Sequence, residues 1–205
     1  MTTPRTFRSR RELTFPVSRP IQKHLLLASI LVSALFACAQ VVPEPAATDY
    51  PAHSERDGIS IGVRLLTPDQ VQHAIVADLK RCCLVIEIAV YPSKKKPIVI
   101  LPEEFSLRIV GADKTIKPAS SRLVASILHY SGGGGNDKAP APSDQDRMAM
   151  ELELSSKSLP EGSTTVPVAG YLYFPLSAKK QKNKTGYQLE NTLTGQKLTL
   201  TLSPP

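Results

Sequence analysis

The sequence predicts an all-β antiparallel sandwich of seven or eight strands with two short helical insertions, occupying residues 58–205. Three observations predict it. Apolar side chains alternate with small or polar ones in Ile59–Leu65 and again in Met148–Leu154, the period of a strand with one wet face. Cys82–Tyr91 is apolar on both faces except at Glu87, which marks a central strand. Gly, Pro and Asp clusters separate these and other short runs, as they do in sandwiches.

The residues before that domain set its location. Arg5, Arg8, Arg10, Arg11, Arg19 and Lys23 precede an uncharged apolar run, Leu25–Ala37. A basic region, an apolar core and a small-residue site in that order form an export signal. The run has thirteen residues, fewer than the ~17–25 that cross a bilayer as a helix. Leu35-Phe36-Ala37-Cys38 resembles the lipobox of bacterial lipoproteins, whose cysteine is lipidated and becomes the new N-terminus. The resemblance implies a signal peptide over 1–37, a lipid at Cys38 and an anchor in the membrane. Ala39 in second position, with no Asp there, is similar to the pattern sent to the outer membrane, facing the periplasm. Two other outcomes stay open. Ala37-Cys38-Ala39 also reads as an A-x-A cleavage site that would release a secreted chain from Gln40. An apolar run extended through Val42 would instead be an uncleaved anchor with its basic end inside.

The net charge of +7 belongs mostly to the leader, whose six basic residues face only Glu12. Nucleic-acid binding is therefore not expected. Besides Cys38 the chain has only Cys82 and Cys83. Neighbouring strand positions would send their thiols to opposite faces, and a bridge between adjacent residues stores strain. Two small buried residues is the plain reading; a thiol-redox or metal site at Cys82 and Cys83 is the alternative. No second C-x-x-C or histidine pair completes a metal set, and no cofactor is expected.

Taken in order, residues 38–57 hold Pro43, Pro45, Pro51 and several alanines without periodicity, and read as a Pro/Ala-rich tether containing a solvated His53. After the strand Ile59–Leu65, Thr67-Pro68-Asp69-Gln70 supplies an N-cap, a proline at the first helical position and a glutamine three residues on. Val71, Ala74, Ile75 and Leu79 continue at helical spacing, so a helix is expected over about 68–78, with His73 outward. Short strands follow at 98–101 and 105–110. Leu123, Val124, Ile127 and Leu128 behind a serine predict a helix over about 121–129. Residues 131–147, with Gly132–Gly135, read as a mobile loop. The glycine run lacks the lysine and hydroxyl spacing of a P-loop. Strands return at 148–154, at 166–174 with Gly170 as a bulge, and as a closing hairpin of 187–190 with 197–202.

Pro102-Glu103-Glu104-Phe105-Ser106-Leu107 and the late strand Gly170-Tyr171-Leu172-Tyr173-Phe174, followed by a C-terminal hairpin, resemble small exported Ig-like domains of bacterial lipoproteins. That resemblance covers Ile59–Leu202 and implies a fold rather than a reaction. Ser93–Lys96 and Ser177–Lys180 match S-x-x-K and Lys184-Thr185-Gly186 matches K-T-G, as in penicillin-recognising serine enzymes. Both serines lie in lysine-rich loops, and no S-D-N follows. The expectation is a non-enzymatic binding or accessory module that meets an envelope protein or polymer by strand addition at a sheet edge.

Overall fold

Cys83–Tyr91, the strand β3, carries the rest of the domain. In a computed structural model of the chain, residues 40–93, 96–112, 114–131, 143–176, 186–195 and 197–203 are described. All lie in the unit Ala39–Pro205. The signal region 1–37, Cys38, Lys94, Lys95, Gly132–Gly135 and Lys179–Lys184 lie outside the described residues.

Two strands precede β3, β1 (Ala52–Arg56) and β2 (Ile59–Leu65), and a helix α1 (Pro68–Ala74) lies between β2 and β3. Then come β4 (Ile98–Ile100), β5 (Ser106–Ile109), β6 (Thr115–Ile116), and helices α2 (Ser121–Ser131) and α3 (Asp144–Lys157). The strands β7 (Gly162–Thr164), β8 (Val168–Pro175), β9 (Tyr187–Asn191) and β10 (Leu198–Leu202) complete the order. Every pair of these strands is antiparallel. One sheet runs β1-β2-β3-β8, a second β10-β9-β5-β6, and β4 and β7 form a separate ribbon. The fold is mostly β, two packed antiparallel sheets with few helices.

Alternation along β3 feeds two different cores. Leu84, Ile86, Ile88 and Val90 point between the sheets, packing with Phe105, Leu107 and Leu189 of the opposite layer. Cys83 and Val85 point outward, into a cluster with Ile75, Leu79, Val124 and Leu154. The helices thus cover the outer face of the first sheet, which explains why β3 has almost no polar residue. The caps of α1 form as the sequence predicts: Thr67 Oγ1 accepts from the Gln70 amide at 3.1 Å and Gln70 Oε1 from the Thr67 amide at 2.8 Å. The helix ends at Ala74, before the expected 78, because α3 takes over its terminal groups. Lys157 Nζ donates to the Ala74 carbonyl, and the Val76 amide donates to Glu153 at 2.7 Å.

Further expectations are corrected. The stretch 148–154 is helical, not a strand. Ser143 and Asp146 make a reciprocal capping box, and burial follows the helical rows 147, 150, 154 while Met148 and Leu152 stay exposed. The loop expected over 131–147 therefore ends by Ser143, since 144–147 are the first turn of α3; residues 132–142 lie outside the described residues. The tether expected over 38–57 is largely part of the domain. β1 pairs with β2 from Ala52↔Val63 to Arg56↔Ile59, across Asp57-Gly58, both with positive φ, the backbone of a two-residue hairpin. With β1, β6 and β7 added and 148–154 removed, the described residues hold ten strands where seven or eight were expected.

Gly170 is not a bulge. It sits in unbroken register opposite Ile88, and its missing Cβ makes room for the backbone of Ser158 and Leu159. Leu159 donates its amide to the Tyr171 carbonyl at 3.1 Å and puts its side chain into the inter-sheet core. The neighbour here is main chain, which cannot swing away. Gly170→Ala is expected to lower the free energy of unfolding by ~3 kcal/mol, the upper end for overpacking. Urea denaturation checks this: the midpoint should fall with the slope unchanged, and a loss of less than ~0.5 kcal/mol would contradict the close approach.

Candidate functional site

Three clusters on the outer side of the first sheet bear chemistry. The first is built on Glu87, which cross-strand register places between Arg64 on β2 and Tyr171 on β8. Glu87 is 6% exposed, and its carboxylate accepts from Tyr50 Oη at 3.1 Å and from Arg64 Nη1 at 3.2 Å. Arg64 also donates from Nη2 to Glu44 Oε1 at 2.9 Å, and its guanidinium lies over the Tyr50 ring at 5.0 Å. Tyr91 donates its hydroxyl to the Glu44 carbonyl at 2.7 Å.

Small residues make this cluster fit. Gly62, Ala89 and Ala169 lie side by side across β2, β3 and β8, and the buried Tyr50 ring occupies the space over that row. A Cβ on Gly62 would overlap the ring. The network thereby ties Glu44–Tyr50 to the sheet. Burial raises the Tyr50 hydroxyl above its ordinary range, helped by the negative charge of Glu87. Desolvation works against the charge on Arg64, but its bond to Glu44 and the two carboxylates outweigh this and raise its pKa. The sequence offered a signal for the pair: Ser60, Gly62 and Arg64 form the polar row of β2, and a carboxylate inside an apolar strand requires a cation beside it.

The second cluster is the cysteine pair. Adjacent strand positions would separate the thiols, yet both join the helix-side cluster. The reason is backbone: Cys82 is not in the strand but closes the 3-10 turn Leu79–Arg81 in the right-handed helical region, φ −114° and ψ −32°. The two Sγ atoms stand 2.6 Å apart, and both residues are buried and unbridged. The bond from Cys83 lowers the pKa of Cys82. The same bond, then burial, raises that of Cys83. Among the described residues no three His, Cys, Asp or Glu side chains are grouped to hold a metal.

The third is a cleft of about 410 Å³ at the edge of the first sheet. Hydroxyls of Ser121, Ser155 and Ser158, the carboxyl residues Glu103 and Glu161, and Tyr171 line it among three prolines. Ser121 and Ser158 share a hydrogen bond at 2.9 Å, and Ser158 donates to the Leu154 carbonyl at 2.9 Å. Lys117 Nζ holds the Pro102–Glu104 wall through the Glu103 carbonyl at 2.6 Å. No sequence pattern marks this cleft, because its walls come from four segments far apart in the chain.

The remaining expected positions do not converge. His53 is exposed on β1, and His73 on α1 lies 2.7 Å from the Asp69 carbonyl. Ser93 accepts the Lys96 amide at 3.2 Å through its carbonyl; Ser177 and Lys184 lie outside the described residues. Part of the β8 edge is already covered. The Ala119 amide already donates to Tyr173 at 2.7 Å and the Leu159 amide to Tyr171.

No protein family and no curated protein matches this chain. Among solved structures it is similar to a functionally unknown protein from Listeria monocytogenes EGD-e, at 10% identity and a TM-score of 0.36, over 75% of this chain and 80% of that one.

Burial raises the pKa of Tyr50, Tyr91, Tyr171, Tyr173 and Tyr187. A raised value means that the fold favours the neutral phenol. That contribution is complete below the unfolded pKa of ~10 and is lost as pH climbs above it. In an alkaline titration, phenolate absorbance is expected to rise late and together with loss of native circular dichroism. More than one phenolate appearing near pH ~10 in a still-folded chain would contradict the burial of these five.

Proposed function

We propose that this chain is a lipid-tethered, exported module of the bacterial envelope that binds an envelope protein or polymer and carries out no reaction of its own. The export part rests on the basic leader, the apolar run and Cys38. Its setting is the outer membrane, with the domain in the periplasm. The binding part rests on one observation, the cleft of about 410 Å³ whose lining offers hydroxyls, carboxylates and the Tyr171 ring. Such a surface matches a polar ligand with hydrogen-bonding groups and an apolar face. One of its serines is committed to structure, since Ser158 bonds Leu154 and Ser121. Among the described residues no helix is long and apolar enough to cross a membrane.

The sandwich is Ig-like in this reading. β2, β3 and β8 lie in the order of strands A, B and E, and β10, β9 and β5 in the order of G, F and C, the two faces of an immunoglobulin sandwich. Helices α2 and α3 stand between β6 and β8, where strand D would come. A second reading, a periplasmic thiol protein, is favoured by the 2.6 Å approach of the Cys82 and Cys83 sulfurs.

One experiment tests tether and cleft together in intact cells. A photo-crosslinking amino acid is placed at Glu161, alone and with Ser155→Arg to fill the cleft. Intact mass of the membrane-fraction protein should match a chain starting at Cys38 plus lipid, a form lost in Cys38→Ala. Irradiation should give one discrete adduct, lost on adding Ser155→Arg. An unlipidated chain starting at Gln40, or an uncleaved one, overturns the tether. A smear of adducts indifferent to Ser155→Arg overturns the cleft.

A further inference from the structure

We propose that Cys82 and Cys83 are a reversible modification site, closing to a vicinal disulfide by exchange with a disulfide donor. The geometry carries it. The helical backbone of Cys82 and the extended backbone of Cys83 turn both thiols to one side, with the sulfurs 2.6 Å apart. A disulfide bond is about 2.05 Å long, so closure needs only a small further approach. Had Cys82 belonged to the strand, its sulfur would point to the opposite face and no such ring could form.

The exchange balances with the donor named by class, a protein or small-molecule disulfide. The Cys82 thiolate attacks one donor sulfur, forming a mixed disulfide and releasing one donor thiolate. That thiolate takes the Cys83 proton. Cys83 sulfur then attacks Cys82 Sγ, forming the intramolecular bond and releasing the second donor thiolate, which is protonated by the proton lost from Cys82. The pair loses two electrons and the donor gains them. Cys82 is the attacking group because it is the less buried of the two, 9% against 5% exposed, and because the contact with Cys83 lowers its pKa.

The product differs in kind from a structural bridge. It closes no chain loop, so it removes little entropy from the unfolded state. It forces the Cys82–Cys83 peptide into a small ring, and strained disulfides have higher, more oxidising potentials. A bond of that type is easily reduced again. Its surroundings give it a readout, since Cys82 donates its amide to Leu79 at 3.2 Å and Leu79 packs into the same buried cluster as α1, α2 and α3.

The test uses the full-length wild-type chain in detergent, equilibrated in glutathione buffers of graded potential, acid-quenched, denatured and alkylated. The peptide containing Cys82 and Cys83 should appear two hydrogen atoms lighter and unalkylated at the oxidising end. It should be doubly alkylated at the reducing end, with the protein monomeric throughout. In Cys83→Ser, the remaining thiol should instead be glutathionylated. Double alkylation of the wild-type peptide at every potential overturns the proposal. So does a wild-type product that is only a glutathione adduct, a bridge to Cys38 or an intermolecular dimer.

Discussion

A single carboxylate in the middle of an apolar strand is the constraint that organises the outer face of this domain. Glu87 is flanked on its own face by Val85 and Ala89, and a buried charge is tolerated only when paired and hydrogen-bonded. Two partners meet that demand from opposite directions, Arg64 from the neighbouring strand and Tyr50 from the segment before β1. Breaking such a pair from one side costs ~3–5 kcal/mol when both groups are fully buried. Arg64 is a quarter exposed, so water reaches part of this pair and the cost lies below that range. The network therefore secures the position of Glu44–Tyr50 more than it adds to global stability.

The bulk of the stability comes from elsewhere. The alternate residues of β3 enter the inter-sheet core, which also holds Phe105, Phe174, Leu189 and Leu202, and burying each such side chain is worth ~1.5–3 kcal/mol. One strand thus serves two roles at once. Its inner row joins the two sheets, while its outer row supports the helices at one end and the Tyr50 segment at the other. The cysteine pair sits where β3 begins and the cleft where β8 is covered by Ala119 and Leu159. Both are consequences of how the first sheet is roofed over.

Much of this was legible in the residues because the governing signals are local. The alternation of Ile59–Leu65, the continuous run of β3, the Thr67–Gln70 cap and the final hairpin each state their structure within a few positions. The errors have equally definite causes. Met148, Met150, Leu152 and Leu154 alternate like a strand, but Ser143 and Asp146 cap a helix five residues earlier, and the cap decides. Asp57-Gly58 announced a hairpin whose first strand lay inside a proline-rich segment, and the prolines hid it. The thiols were assigned opposite faces on the assumption that both belong to β3; one residue of helical backbone at Cys82 reverses this. Beyond the Arg64–Glu87 pair, the network with Glu44 and Tyr50 and the cleft were invisible for a different reason, since each joins residues whose only relation is tertiary.

The central claim is that Glu87 fixes the segment before β1 onto the sheet. Hydrogen exchange of the full-length chain, wild type beside Glu87→Ala, tests it most directly. The account predicts that amide protection is lost at Glu44, Asp49 and Tyr50, while Ile61, Val63 and the inner row of β3 remain protected. Unchanged protection over residues 44–50 would contradict the claim, and so would a uniform loss across both sheets.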